Sequence, residues 1–424
     1  MKQEAIFKQT EIGSLPSEWR LGMLRDQVDP GRSIRYGIVQ PGKFDPNGRY
    51  MIRGQDYSKG WVAPAEFFRV SPAVEEAFAN ARVRSGDVLI TIVGASTGRI
   101  AIVPPWLDGA NLTQTTARIA VRADRVDNVF CALVLESPVG ARQVANYLKG
   151  AAQPGLNCGD IEKFLIPLPP LNEQRAIAEA LSDVDALLGA QDRLIAKKRD
   201  IKQAAMQQLL TGQTRLPGFS GKWEVKRLGD HVRFLRNGVN SRAELQPEGP
   251  VKYLHYGDIH TNAGTFVTPT MLPSLPVEKA AQLDRLQDGD LVFADASEDM
   301  DGVSKSVEVR DVGAVEVVAG QHTIAARFDR SVLADRFKSL LQFCPTFAAH
   351  LRRLAAGTKV YATNRAHIVS AEVLMPNTDE QTAIATVLSD MNAELEALKQ
   401  RRAKTAALKQ GMMQELLTGR TRLV

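Results

Sequence analysis

Disulfide and metal frameworks are missing from this sequence, whose 424 residues hold only three cysteines, Cys131, Cys158 and Cys344, far apart and without a CxxC pair. That spacing implies neither a zinc site nor a stapled secreted fold and fits a reducing, cytoplasmic setting. No apolar run exceeds strand length, the longest lying near Asp87 to Gly94, and the opening MKQEAIFKQTEIG has no signal-type core. Export and membrane spanning are therefore not expected. Charge of one sign is scarce too: the formal excess is +5, which leans toward an anionic partner without requiring one.

Catalytic signatures are also wanting. No phosphate loop of the form G-x-x-x-x-G-K-[ST] occurs; the nearest stretch, GASTGR at Gly94 to Arg99, lacks the lysine and the spacing. There is no glycine-rich cofactor turn followed by an acid, and no Asn-Pro-Pro-aromatic loop; Pro169-Pro170 falls in a linker. His255 and His260 flank Asp258, but H-x4-H aligns on neither a helix face nor a strand face, so no metal is expected. Asp295, Glu298, Asp299 and Asp301 near Lys305 have a nuclease-like composition, yet the first half has no acidic counterpart at Gly94 to Arg99, and an acidic surface loop is the better reading. The chain reads as a non-enzyme.

What is present is a duplication. Shifting the sequence by 207 positions aligns residues 173–216 with 380–423 without a gap, with 24 of the 44 positions identical, which chance does not produce. The shared frame opens with Glu173-Gln174 and Glu380-Gln381, passes through two LSD triplets, and closes on LLTGQTRL and LLTGRTRL. Fainter matches continue outside it: Gln114 with Gln321, Gly150 with Gly357, Asn157 with Asn364, and Trp19 with Trp223. The apolar fraction of 44% is that of a globular chain, and the length calls for two or three domains.

The matched blocks predict long helices. Ile177, Leu181, Val184, Leu188 and Ile195, skipping a turn at Gln191, follow heptad-like steps, as do Ile384, Leu388, Met391, Leu395 and Leu398. Prolines at 167, 169, 170 and 376 stop what precedes; Thr378-x-x-Gln381 has the form of a capping box, and Gly212 and Gly419 stand where a helix end wants a left-handed residue. Some 38 residues make a rod of roughly 57 Å. Acids lead and bases follow in each: Glu173 to Asp192 before Arg193 to Lys202, and Asp379 to Glu396 before Lys399 to Lys409. Helix dipoles favour that order by themselves, and antiparallel pairing adds opposite charges side by side. The variable blocks carry strand signals, YMIRGQDY, DVLITIVG and TARIAVRA in the first and VKYLHYGDI, DLVFADA and HTIAARF in the second, with shorter helices near Val74 to Ala81, Val129 to Leu148 and Ser331 to Leu354. The expected fold is α+β: mixed domains at 1–168 and 213–375 alternating with helical spacers at 169–212 and 376–424.

PLPPLNEQ running into a long helix that ends in LLTG, repeated after a second variable domain, resembles the specificity (S) subunit of type I restriction-modification enzymes over the whole chain. The second copy departs mildly, with MPNTDEQ in place of PLPPLNEQ. The resemblance implies two target-recognition domains joined by two antiparallel coiled-coil helices in a pseudo-two-fold arrangement. On that resemblance, each domain is expected to read one half of an asymmetric, bipartite site in double-stranded DNA. It further implies that the helices hold two modification subunits, which carry S-adenosylmethionine, that restriction subunits using ATP and Mg join the complex, and that the S subunit holds no cofactor and no membrane. A DNA-binding regulator acting alone and a diverged enzyme are the competing readings.

The resemblance places DNA contacts in loops of each recognition domain. In the first, the candidates are Arg53, Gln55, Asp56, Ser58 and Lys59; Ser96, Thr97 and Arg99; Gln114 and Thr115; and Lys149, Gln153 and Asn157. In the second they are His255, Tyr256, Asp258 and His260; Lys305 and Ser306; Gln321 and His322; and Lys359, Tyr361 and Asn364. Arg and Lys suit guanine's major-groove edge, Gln and Asn suit adenine, and hydroxyls and lysines suit phosphates.

Overall fold

The duplicated blocks form helices Leu171–Leu210 and Thr378–Leu416, here called the first and second rods, of 40 and 39 residues. At 1.5 Å per residue each is about 60 Å long. The computed structural model describes residues 6–150, 155–262, 264–357 and 359–423. These divide into two units, one of residues 1–192 with 400–424 and one of residues 193–399, so that each unit takes a stretch from both rods.

In the first unit the rod segments run antiparallel. Lys409 Nζ lies 2.7 Å from Asp185, Arg402 Nε is 2.9 Å from Asp192, and Gln191 Nε2–H donates to Thr405 Oγ1 at 3.2 Å. Gln191, where the apolar pattern skips a turn, is thus a buried polar position met by a hydroxyl from the facing helix. The second unit repeats the direction, with Lys198 2.7 Å from Glu394 and Lys202 Nζ donating to Asn392 Oδ1 at 2.7 Å. In both units the acidic part of one rod faces the basic part of the other.

The first unit's sheet places strands in the order Arg35–Tyr36, Thr116–Ile119, Val88–Thr91, Ile100–Ile102, all neighbours antiparallel. A three-stranded sheet (Phe68–Val70, Arg49–Ile52, Asn111–Leu112) and the pair Arg20–Met23 with Leu165–Leu168 complete its main β structure. One core joins Val88, Ile90, Ile119, Phe130 and Phe164 to Ile177 and Leu181 of the first rod and Met413, Leu416 and Leu417 at the end of the second. The second unit carries a five-stranded sheet, Val232–Phe234, Thr323–Phe328, Leu291–Ala294, Ser306–Val309, Phe266–Val267. Its core joins Leu291, Phe293, Phe328 and Phe347 to Leu209 and Leu210 of the first rod and Ile384 and Leu388 of the second.

Several local expectations change. GQDY is a 3-10 turn, Gly54–Tyr57, not strand, and YGDI belongs to helix Tyr256–Thr261, because Asp56 and Asp258 turn back to accept the Arg53 and His255 amides at 2.8 and 2.9 Å. The helix expected over Val129 to Leu148 is two, Asn128–Glu136 and Pro138–Tyr147, since Pro138 cannot continue a helix and Ser137 caps the next one through Val139 N. The expected Ser331 to Leu354 helix begins only at Pro345, after a 3-10 segment Lys338–Phe343, and the Val74 to Ala81 helix is Pro72–Glu76 followed by a 3-10 turn. The cap of the second rod is Asn377, whose Oδ1 accepts Glu380 N at 3.0 Å, rather than Thr378. Gly212 and Gly419 do adopt left-handed φ, +69° and +70°.

Candidate nucleic-acid interface

In each unit the recurrent Glu and Arg of the EQ and TR pairs tie the first turn of one rod to the turn after the end of the other, beside the sheet. In the second unit Arg215 Nε and Nη2 each donate to the buried Glu380 carboxylate at 2.5 Å. In the first, Arg422 Nη2 donates to Glu173 Oε2 at 2.7 Å, Nε bonds Oε1, and Nη1 bonds Glu18. Trp19 Nε1–H also donates to Glu173 Oε2, at 3.1 Å, whereas the Trp223 indole nitrogen is buried without a partner. Both arginines lie over these indoles, 5.5 Å from Trp19 and 5.7 Å from Trp223. A Cβ at Gly419 would come within 2.4 Å of Pro16, so the turn after the second rod needs glycine for space as well as for φ.

The mounted sheet presents its loops at one end. In the first unit Thr116 pairs with Thr91, so Gln114-Thr115 emerge beside the Gly94 to Arg99 turn, tied by Ile92 N donating to Thr115 O at 2.8 Å. Tyr57 donates to or accepts from Thr91 Oγ1 at 2.8 Å, bringing the Gln55 to Lys59 segment alongside, and Gly155 bridges Val93 and Lys149. The loop residues gather, but their side chains differ in availability. Gln55, Lys59, Arg99 and Gln114 are exposed; Ser58 and Ser96 are half-buried; Thr97 Oγ1 donates to Gly94 O and Thr115 shares a hydrogen bond with Thr113. Asp56 is buried and held by the Arg53 guanidinium at 2.7 Å, a brace within the loop. Lys149 is exposed but ion-paired to Asp160 at 2.9 Å, and Asn157 caps helix Cys158–Ile161 through Asp160 N. Gln153 lies outside the described residues.

The second unit gathers its loops at the equivalent strand ends. Thr323 pairs with Ala294, Asp295 N donates to His322 O at 3.1 Å, and Tyr256 N to Gln321 O at 3.3 Å. His260 Nε2 meets Ala296 O at 2.8 Å, Lys305 Nζ donates to His260 O at 2.5 Å, and Tyr361 pairs with Ser297. They surround a cavity of about 770 Å³ lined by Tyr256, His260, Glu298, Asp299, Asp301, Lys305, His322 and Val360. The Tyr256 ring stands edge-on to His322 at 5.4 Å, and His322 holds φ +56°, with its imidazole 3.2 Å from Asp295. Lys359 is exposed nearby. His255 is buried; its Nδ1 accepts Gly257 N, and burial, reinforced by the Arg242 guanidinium and opposed by Asp258, pulls its pKa below the ordinary value. Asp258 pairs with Arg242 at 2.5 Å. Ser306 is buried in its strand, and Asn364 caps Arg365–Val369, accepting His367 N at 3.1 Å.

Glu298, Asp299 and Asp301, expected as an acidic surface loop and not among the DNA-contact candidates, line the cavity, and no signal in the sequence marks the aromatic cluster Tyr50, Tyr57, Trp61, Phe67 and Trp106 in the first unit. What the loops assemble is a set of exposed donors and acceptors with aromatic edges at one end of each sheet. Among the described residues no three His, Cys, Asp or Glu side chains converge to hold a metal, and no helix is long and apolar enough to cross a membrane.

Residues 44–197 match the model of the type I restriction modification DNA specificity domain. The putative type I restriction enzyme MjaX specificity subunit of Methanocaldococcus jannaschii is 22% identical over 446 residues, covering 99% of this chain and 98% of that one. The EcoBI specificity subunit of Escherichia coli is 26% identical over 251 residues, 57% of this chain, and the match spans half of that subunit's length. The crystal structure of the HsdS subunit from Thermoanaerobacter tengcongensis shares the fold, with a TM-score of 0.52 at 21% identity over 96% of this chain and 98% of that one.

Proposed function

We propose that this chain, whose relatives are the specificity subunits of type I restriction-modification enzymes, is the DNA-reading subunit of such a complex. Each unit reads one half of a split double-stranded target. The duplicated mount carries this reading: two unlike sheets stand at rod ends closed by the same Glu–Arg pair, Glu173 with Arg422 and Glu380 with Arg215, each joining the first turn of one rod to the turn after the other. A protein that needed one binding surface would have no use for writing the fastening twice around dissimilar loops.

The loops differ in chemistry, so the half-sites differ in sequence. Arg99, Gln114, Gln55 and Lys59 offer cationic and amide donors in the first unit; Tyr256, His260, Lys305, Gln321, His322, Lys359 and Tyr361 form a mixed, acid-rimmed surface in the second. Arg99 has an exposed side chain at the foot of the Gly94 to Arg99 turn, where its carbonyl accepts Thr91 N at 2.9 Å, and is suited to a guanine edge or a phosphate. The rods set the gap between half-sites and dock two modification subunits, which bring S-adenosylmethionine; restriction subunits bring ATP and Mg. This chain contributes binding and orientation and no bond-making step.

Long-read methylation mapping of a host expressing this chain with its modification subunit tests the assignment. The expected result is adenine methylation at a split, asymmetric sequence that disappears when this chain is deleted; methylation unaffected by the deletion overturns it. Arg99→Ala should weaken methylation of the cognate site by about 1–3 kcal/mol if the residue reads a base, measured as kcat/KM.

A further inference from the structure

The glutamine beside each mounting glutamate makes an unusual set of contacts. Gln174 is buried; its Oε1 accepts Asp127 N at 2.9 Å, and its Nε2 donates to Arg125 O at 3.1 Å and Pro169 O at 2.9 Å. Gln381, also buried, does the same: Oε1 accepts Ala334 N, and Nε2 donates to Val332 O and Pro376 O, all at 2.9 Å. Every partner in the second unit lies 207 positions after its counterpart in the first. An amide with an N–H facing its oxygen and two carbonyls facing its nitrogen can be oriented in only one way, so the two ends are not interchangeable.

All six partners are main-chain atoms. Arg125, Val126 and Asp127 share no residue with Val332, Leu333 and Ala334, yet the grip is identical. It is therefore indifferent to what the reading domain is made of. In each unit the gripped turn also ends the strand that starts at a candidate contact loop: Gln114-Thr115 lead into Thr116–Ile119 and on to Arg125, and Gln321-His322 lead into Thr323–Phe328 and on to Val332. The third bond of each glutamine goes to the proline two positions ahead of its own rod.

We propose that Gln174 and Gln381 are positioning residues that lock each reading sheet to its rod and thereby restrict the permitted gap between half-sites. The inference rests on the DNA-reading assignment above. Ten residues separate grip from contact loop, four of them strand in the first unit and six in the second; the lever is at most ~33 Å, so a swing of at least about 6° moves the loop by ~3.4 Å, one base-pair step. Freeing a buried amide clamp permits motion of that size without unfolding the sheet.

The test uses the full chain in complex with its modification subunits, on duplexes carrying both half-sites at the native gap and with one base pair added or removed. Gln174→Ala and Gln381→Ala should each raise the ratio of off-gap to native-gap kcat/KM by about tenfold, with half-site base preferences unchanged. Gln381→Glu, which keeps the acceptor but sets a carboxylate oxygen against the Val332 and Pro376 carbonyls, should raise it at least as much. Parallel losses at all gap lengths overturn the proposal, as does failure of all three variants to fold, because the glutamines would then be structural only. If the unaltered complex methylates no split site at all, it is the DNA-reading assignment that falls.

Discussion

Arg215 holds Glu380 with two guanidinium nitrogens, and the carboxylate has almost no solvent contact. Arg215→Ala leaves the buried Glu380 carboxylate without its cation and should lower the midpoint of chemical denaturation of the second unit. Arg422→Ala should cost less, because the Trp19 indole still donates to Glu173. Equal losses would show that the indole contributes nothing. At His255 the folded protein favours the neutral ring, whose Nδ1 accepts Gly257 N. With its folded pKa depressed, its stabilisation is present above the unfolded value of about 6.5 and is lost as pH falls through the folded one. The second unit's melting temperature should therefore drop on acidification below about pH 6.5, and His255→Gln should flatten that drop. Single residues were the least legible part of the sequence. Asn157 and Asn364 recur because both cap short helices, and Ser306 looks like a loop hydroxyl until strand pairing buries it against Gln342. The two caps act three positions along the chain, on Asp160 and His367, whereas the partner of Ser306 lies 36 positions away.

Elements were legible in proportion to how local their causes are. The rods follow from periodicity, caps and glycine stops within one stretch of chain, and their opposed direction follows from charge order, met in Asp185–Lys409 and Lys198–Glu394. Strand cores such as Val88–Thr91 and Thr323–Phe328 were visible from β-branched runs; the turn at Gly54–Tyr57 and helix Tyr256–Thr261 were not, because a single aspartate in each redirects an apolar segment. Gln191 was legible as an interruption but not as the partner of Thr405. Four residues inserted in the first rod near Ala196 would lengthen it by roughly 6 Å, nearly two base-pair steps. The expected outcome is a wider unspecified gap in the methylated sequence with both half-sites retained. An unaltered gap would show that the rods do not measure it.

For the whole molecule, the consequential feature is that the two units close differently along the chain. The second is contiguous, residues 193–399; the first recruits residues 400–424, and its core needs Met413, Leu416 and Leu417. A chain ended after Lys399 should keep the second unit resistant to limited proteolysis while the first is cut rapidly; equal resistance of both would mean that the tail is dispensable. During synthesis the ribosome delivers most of the first unit early, then makes it wait for more than two hundred residues before its last core side chains emerge. The unit made first thus closes after the unit made second, and loss of residues 413–417 leaves it without those core side chains and open to proteases and chaperones.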